Sequence, residues 1–143
     1  MHPDGDELVV LHIRAGEIAD SGSWIYAWRR VAGDRRVIYV GATGLPPAVR
    51  AWLHLHDADP DVGRVAARYP AAADEPLDVV GVRVPDGSAR QELKAVAVAR
   101  LAEAGLLSAD YVGDAPVEPP EIDPPGSSAI GELVSEIGRL VSP

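Results

Sequence analysis

Five residues of this chain carry side chains that can do chemistry, and their order is informative: Tyr26, Tyr39, Arg50, His54 and Glu92. Phenol and imidazole groups can exchange protons with a reacting molecule. The planar guanidinium fork suits phosphate oxygens, and one carboxylate with water ligands is enough for Mg²⁺. Each residue by itself is more often a packing or surface residue. Their meaning therefore depends on the elements that position them.

The two tyrosines belong to a predicted β-hairpin. Residues 24–31 and 36–40 have the composition of strands, and a Gly33-Asp34 centre suits a tight turn between them. A turn at that place defines two cross-strand pairs: Tyr26 with Gly41, and Trp28 with Tyr39. Because side chains alternate between the faces of a strand, Tyr26 and Tyr39 then share one face, provided that no bulge separates them.

The arginine and the histidine belong to a predicted helix. Pro46 and Pro47 can begin it, because proline is tolerated in the first helical turn. Arg50 and His54 are four residues apart and share one side of this helix. Helical spacing predicts a buried stripe on a neighbouring side: Val49, Trp52, Leu53 and His56. A second short helix is expected over residues 61–69.

Glu92 belongs to a longer predicted helix over residues 88–104, which follows a third strand over residues 77–84. Ser88 and Gln91 have the spacing of a capping box, and the glycine at position 105 is a typical helix end. The predicted apolar stripe of this helix has five members: Leu93, Val96, Ala97, Leu101 and Ala104. One further strand is predicted near the start of the chain, over residues 8–14.

The C-terminal part of the chain has a different character. Residues 114–128 contain five prolines in an acidic stretch, which predicts a linker or an extended strap. Helical periodicity returns over residues 129–142. An isolated helix of that length is marginal in water, so it must dock on the domain, pair with a second copy or bind a partner. The predicted units are residues 1–22 (N-terminal strand and loop extension), 23–113 (domain), 114–128 (linker) and 129–143 (amphipathic helix).

This order of elements resembles the GIY-YIG nuclease domain over roughly residues 23–105. The features that carry the resemblance follow one another along the chain: Tyr26 in one strand, Tyr39-Val40-Gly41-Ala42-Thr43 in the next, Arg50 and His54 in a helix, a third strand, and Glu92 early in a later helix. The resemblance implies an α+β fold, in which helices flank a small central antiparallel sheet of three or more strands.

The resemblance also implies a role for each of the five residues. Tyr26 corresponds to the first motif tyrosine and resembles the general base, although a phenol needs a nearby cation or metal-bound water to lose its proton near neutrality. Tyr39 corresponds to the tyrosine that orients phosphate or water, and Arg50 to an arginine that suits phosphate oxygens. His54 corresponds to a proton relay, and Glu92 to the ligand of a single Mg²⁺ or Mn²⁺ ion. Residues 23–113 are then expected to form a metal-dependent endonuclease domain that hydrolyses DNA.

A second interpretation stays open, in which the same fold is a catalytically inactive module that binds nucleic acid or a protein partner. Trp24 stands where the family usually has glycine, and the chain has no asparagine for a position that the family often fills with one. A third interpretation joins the two: the acidic residues 117–125 lie over the arginine-rich face and hold the nuclease inactive. The C-terminal helix offers a surface for a protein partner or for self-association.

The charge distribution bears on the choice of partner. The formal net charge is −9, which argues against tight, non-specific binding of DNA. Residues 24–70 nevertheless hold seven arginines and four aspartates, whereas residues 101–143 hold eight acidic residues against one arginine. The predicted active region is therefore mildly basic, and DNA stays the expected substrate.

Other kinds of site are less well supported by the sequence. There is no cysteine, which excludes disulfides and thiolate metal sites, and no apolar run is long enough to cross a membrane or to form a signal-peptide core. A cytoplasmic protein is expected. Four potential metal ligands lie close together: His54, His56, Asp57 and Asp59. Histidines two apart on a helix do not share a face, so this cluster is a weaker candidate.

Overall fold

A three-stranded antiparallel sheet lies at the centre of the structure, a computed structural model that describes residues 8, 10, 12–18 and 22–142. A small two-stranded sheet precedes it, formed by β1 (Ile13–Arg14) and β2 (Glu17–Ile18). The central strands are β3 (Ser23–Arg30), β4 (Val37–Thr43) and β5 (Leu77–Val84), in the order β4-β3-β5. Within the described residues, the flanking helices are α1 (Pro47–His56), α2 (Arg64–Arg68), α3 (Arg90–Glu103) and α4 (Ser127–Val141), and a short 3₁₀ helix (Pro70–Ala73) follows α2. The predicted α+β class is confirmed.

The β3–β4 hairpin has the register that the sequence predicts. Two pairs define it: Tyr26 with Gly41, and Trp28 with Tyr39. A bulge occurs after Trp28, between the second pair and the turn, so it does not separate the two tyrosines. Tyr26 and Tyr39 consequently contribute to the same buried cluster. The connection itself is longer than a two-residue turn and spans residues 31–36.

The sheet separates two apolar layers. On one face, α3 and α4 cover the larger layer, whose central members are Ile25, Val40, Leu93, Leu101, Leu133 and Ile137. On the other face, α1, α2 and the 3₁₀ helix cover a smaller and more aromatic layer formed by Tyr26, Trp28, Ile38, Tyr39, Val65 and Tyr69. The candidate tyrosines therefore belong to the layer beneath α1 and α2.

The C-terminal helix α4 docks on its own chain. Ile130, Leu133 and Ile137 are fully buried in the layer that α4 shares with α3. The helix follows Gly126, whose φ of 98° is in the left-handed region that favours glycine. A Cβ at that position would also press on Leu93. Of the three fates expected for this helix, docking on the domain is the one that buries its apolar stripe.

The acidic strap follows α3, and the expectation that it covers the arginine-rich face is wrong. Asp114 forms an ion pair with Lys94 at 2.7 Å, and Asp123 forms one with Arg100 at 2.8 Å. Both basic residues belong to α3, which lies on the opposite face of the sheet from α1 and α2. The Asp123 ion pair thus holds residues 117–125 against α3, whereas Asp114, which precedes them, also acts electrostatically on Arg64 and Arg68.

Residues 106–112 run beside β4 and cover its outer edge. The Val37 amide donates to the Leu106 carbonyl at 2.9 Å, and the Ser108 amide donates to the Val37 carbonyl at 2.8 Å. The Val112 amide then donates to Ile38 at 2.8 Å. This segment satisfies backbone groups that an edge strand would otherwise expose to pairing with another chain.

The first helix is rotated relative to the sequence prediction. Val49 and Trp52, which were predicted to be buried, are 46% and 60% exposed, and His56 is exposed as well. The buried face instead contains His54, which is fully buried, with Ala51 and Leu55 packed beside it. The cause is the aromatic layer beneath α1, which offers a hydrogen-bond partner to the imidazole.

Other local predictions differ in smaller ways. β5 has the predicted bounds, whereas the helix expected over residues 61–69 is confined to α2. The capping box of α3 is wrong: the Ser88 hydroxyl donates to the Pro85 carbonyl, and the helix begins at Arg90 without a side-chain cap. Ala104 is exposed rather than buried. The strand predicted over residues 8–14 lies partly outside the described residues; of the described ones, Ile13 and Arg14 form β1, whereas residues 8, 10 and 12 are not in a strand. None of the helices in the described part of the chain is long and apolar enough to cross a membrane.

Candidate functional site

A buried hydrogen bond joins a tyrosine of β3 to a histidine of α1. The hydroxyl of Tyr26 on β3 lies 2.6 Å from Nε2 of His54 on α1. The side chains are almost sealed from solvent, since Tyr26 is 2% exposed and His54 is 0% exposed. Either atom can donate the proton, depending on the imidazole tautomer. Tyr26 and His54, two of the five candidates from the sequence, are thus in direct contact.

The rings of three aromatic residues surround the His54 imidazole. The ring centroid of Tyr39 lies 5.0 Å from that of His54, and the centroids of Tyr26 and Trp28 each lie 5.7 Å away, all in edge-on arrangements. Within the described residues, Nδ1 of His54 and Nε1 of Trp28 are buried without a hydrogen-bond partner. The imidazole is therefore held by one hydrogen bond and by ring packing.

Burial shifts the pKa values of both partners toward their neutral forms. It lowers the pKa of His54 to about 3, and the positive charges of Arg50, Arg64 and Arg68 act in the same direction. Burial also raises the pKa of Tyr26, with a contribution from Tyr39, while the charges of Arg50 and Arg64 oppose the increase. Proton transfer from the phenol to the imidazole is thus unfavourable in this buried environment.

Arg50 lies one turn before His54 on α1, as the sequence predicts. Its side chain is half-buried, and its Nη1 donates to the carbonyl of Val62 at 3.0 Å. The charge of Arg50 influences both Tyr26 and His54. Arg50 therefore belongs to the same assembly as the tyrosines and the histidine.

Arg64, at the start of α2, also belongs to this assembly, although sequence reasoning did not single it out. Its Nη1 donates to the Tyr39 hydroxyl at 3.4 Å, a long hydrogen bond. Its Nε donates to the carbonyl of Asp61 at 2.7 Å. The local excess of arginine over residues 24–70 was a signal for this residue, but only the chain reversal between α1 and α2 brings it to Tyr39.

Glu92 has a different environment from the other four candidates. It is exposed, lies in the first turn of α3 and borders a surface cavity of about 390 Å³ together with Ser23 and Arg90. Considering only the residues that the structure describes, its carboxylate forms no hydrogen bond or ion pair. Tyr26, Tyr39, Arg50 and His54 are thus brought together, and Glu92 lies near the beginning of β3.

Among the described residues, Glu92 is the single carboxylate of its cavity, which a largely hydrated divalent ion can accept as its one protein ligand. Over the described ranges, no group of three or more histidine, aspartate or glutamate side chains could enclose a metal. Mg²⁺ retains several water ligands and can be bound through one carboxylate, so an exposed glutamate without an ion-pair partner is compatible with it. The Arg90 guanidinium in the same cavity disfavours tight binding without an anionic ligand.

The weaker metal-site candidate does not form a metal site in the described structure; it consists of His54, His56, Asp57 and Asp59. His56 is exposed and its ring centroid lies 4.8 Å from that of Trp52, whereas His54 points into the aromatic layer. Oδ1 of Asp57 accepts a hydrogen bond from the Asp59 amide at 2.9 Å. The two aspartates therefore organise the turn that follows α1.

Comparison of the chain with protein-family models, with curated proteins and with solved structures gives no match.

Proposed function

We propose that this chain is a metal-dependent endonuclease-like domain that hydrolyses phosphodiester bonds of DNA. The observation that carries the proposal is the hydrogen bond between Tyr26 and His54, placed beside Tyr39 and within the electrostatic influence of Arg50 and Arg64. Tyr26 and His54 supply a pair of groups that can exchange a proton. Arg50 and Arg64 supply cationic donors for a phosphate beside that pair. The order of the motif residues along the chain supports the same assignment.

Each residue has a part in the proposed reaction. Arg50 donates to the phosphate oxygens and offsets their charge. The Tyr39 hydroxyl orients the phosphate or the attacking water. The Tyr26 oxygen takes a proton from that water as its own hydroxyl proton passes to Nε2 of His54, which then relays that proton onward. Glu92 would hold a hydrated Mg²⁺ or Mn²⁺ ion, which when bound stabilises negative charge on the phosphate.

The burial of the pair sets a condition on this reaction. Tyr26 and Tyr39 are only 2% and 3% exposed, so a phosphodiester reaches them only when part of the layer formed by α1, α2 and the 3₁₀ helix moves. Burial is the main cause of both pKa shifts, and hydration of the opened site would move each pKa back toward its ordinary value. Substrate entry would thus make proton transfer between Tyr26 and His54 easier.

The test is cleavage of supercoiled plasmid and branched oligonucleotides with Mg²⁺, Mn²⁺ or EDTA. Wild-type protein should nick DNA only with the metal, and Glu92→Ala and Tyr26→Phe should each lose the activity. Glu103→Ala is the matched control, because Glu103 is an exposed glutamate at the other end of α3. Cleavage that persists undiminished in Glu92→Ala would refute the assignment of the metal ligand.

The second candidate function is a catalytically inactive module that binds nucleic acid or a protein partner. Complete burial of His54 and near-complete burial of Tyr26 and Tyr39 favour it, because such groups can simply stabilise the layer beneath α1. A folded wild-type protein that binds DNA without cleaving any substrate would select this alternative. The same silent protein without DNA affinity would direct attention to protein partners.

A further inference from the structure

Among the described residues, three arginines beside the aromatic layer have no ion-pair partner. The ion pairs among the described residues use other basic side chains: Arg29, Arg30, Lys94, Arg100 and Arg139. No ion pair joins any carboxylate of the described residues to Arg50, Arg64 or Arg68. All three nevertheless exert their positive charge on His54. A neutral buried cluster is thus bordered by three positive charges, of which Asp114 partly offsets those of Arg64 and Arg68.

Two of these arginines are half-buried, and their charges act on the same two residues, Tyr26 and His54. Arg64 reaches the Tyr39 hydroxyl, and Arg50 reaches the carbonyl of Val62, two residues before Arg64. Both partners are neutral oxygens, which compensate a guanidinium charge less than an anion does. The long 3.4 Å contact between Arg64 and Tyr39 is the weaker of the two. Each guanidinium also has five N–H donors, so donors remain available for a ligand.

Asp114 is an acidic residue whose charge acts on Arg64, but its carboxylate is already engaged. Asp114 raises the pKa of Arg64 only after several larger causes, the first of which is the contact with Tyr39. The Asp114 carboxylate forms its ion pair with Lys94 at 2.7 Å. No described carboxylate therefore forms an ion pair with Arg50 or Arg64. Both guanidinium groups would stabilise an external anion bound beside them.

We propose that Arg50 and Arg64 together form a phosphate-binding site, in which a phosphate oxygen replaces the Tyr39 hydroxyl as the partner of Arg64. This proposal deepens the proposed function and rests on it for the source of the phosphate, namely a DNA phosphodiester. Release from Arg64 frees the Tyr39 hydroxyl to contact the same phosphate. Arg68, exposed one turn further on α2, extends the positive surface along the path of the backbone.

The first experiment uses inorganic pyrophosphate as the probe, without metal or DNA. In the ¹⁵N spectrum of the arginine Nε–H groups, titration should shift the signals of Arg50 and Arg64 in wild-type protein. Arg64→Ala should weaken binding about tenfold or more, because charge-assisted hydrogen bonds are lost. Arg139→Ala removes an equal charge from the exposed side of α4 and should leave the affinity unchanged. Arg64→Lys keeps the charge without the fork and should bind with intermediate affinity.

The outcomes separate the phosphate site from the nuclease activity. Unshifted Arg64 signals in wild-type protein would overturn the phosphate site, and this result needs no variant to fold. Equal affinity in Arg64→Ala and Arg139→Ala would also overturn it. Binding of pyrophosphate at Arg64 by a protein that neither binds nor cleaves DNA would support the phosphate site and refute the proposed function. If DNA binds, Arg64→Ala should reduce the salt dependence of its affinity by about one phosphate contact.

Discussion

The phenol of Tyr26 lies directly over Gly41, its partner across the β3–β4 pair, and a Cβ at residue 41 would overlap the Tyr26 hydroxyl. Glycine at this position therefore makes room for the atom that bonds to His54. Gly41 follows Tyr39 by two residues in the sequence, but its lack of a side chain matters for the packing of Tyr26.

Replacing Gly41 by alanine should disturb that hydrogen bond. Because the methyl group overlaps the phenol, the Tyr26 ring must move, and we expect Gly41→Ala to lower the free energy of unfolding by about 1–3 kcal/mol. Chemical denaturation measures the loss. Gly131→Ala is the control, since a Cβ there meets no atom within 4 Å and alanine favours a helix, so its stability should be equal or higher. Equal stability of Gly41→Ala and wild type would contradict the close packing.

The buried imidazole should make the protein less stable in mild acid. His54 stays neutral in the folded state down to a pKa of about 3, whereas in the unfolded chain it takes up a proton near its ordinary pKa of 6.5. Its contribution to stability is therefore complete above that ordinary value and is lost progressively as the pH falls toward the folded value. The expected slope approaches about 1.4 kcal/mol per pH unit between these limits.

Denaturation of wild type and His54→Gln between pH 7 and about pH 4 tests this linkage. Glutamine can retain a hydrogen bond to Tyr26 and does not titrate, so its stability should depend less steeply on pH. His56→Gln is the matched control, because His56 is exposed on the same helix and should leave the slope unaltered. Identical slopes for His54→Gln and wild type would show that the imidazole is not buried in its neutral form.

Binding of a divalent ion at Glu92 should appear as thermal stabilisation. A ligand that binds the folded state raises the unfolding temperature, so Mn²⁺ should shift wild-type protein upward at concentrations above its dissociation constant. The shift should vanish in Glu92→Ala and persist in Glu103→Ala. An equal Mn²⁺ shift in all three proteins would place the ion elsewhere, and no shift in any of them would favour the inactive module.

Two apolar residues with opposite exposure should differ strongly in their contribution to stability. Leu133 of α4 is fully buried, and Leu133→Ala should cost about 2–5 kcal/mol of unfolding free energy. Trp52 of α1 is 60% exposed, so Trp52→Ala should cost less than about 1 kcal/mol despite the larger side chain. Urea denaturation compares the two. A large loss of unfolding free energy in Trp52→Ala would instead support the prediction from helical spacing that Trp52 is buried.

The hairpin could be predicted well because its pattern is local. Strand alternation and the position of the turn were sufficient to place Tyr26 opposite Gly41 and Trp28 opposite Tyr39. The bulge did not disturb this result, since it lies on the turn side of both pairs. Of the candidate site, the shared face of Tyr26 and Tyr39 followed from the sequence in this way.

The orientation of α1 could not be read from its apolar residues. Hydrophobic spacing assigned Trp52 to the interior. In the structure His54 is buried in the aromatic layer instead, because its Nε2 forms a hydrogen bond with the Tyr26 hydroxyl. Tertiary contacts thus decide between two sides of an amphipathic helix when a polar residue has a buried partner. Arg64 was missed for a related reason, since its approach to Tyr39 depends on the path of the chain after α1.

The central position of β3 has a consequence for synthesis of the chain on the ribosome. β4 follows β3 closely, so the hairpin can form early, whereas the other edge of β3 pairs with residues 77–84 only after α1 and α2 have emerged. Until then, the nascent hairpin presents an unpaired backbone edge together with the apolar face that α3 and α4 later cover. We expect the interval between emergence of Thr43 and of Val84 to be the stage at which this protein most needs a chaperone.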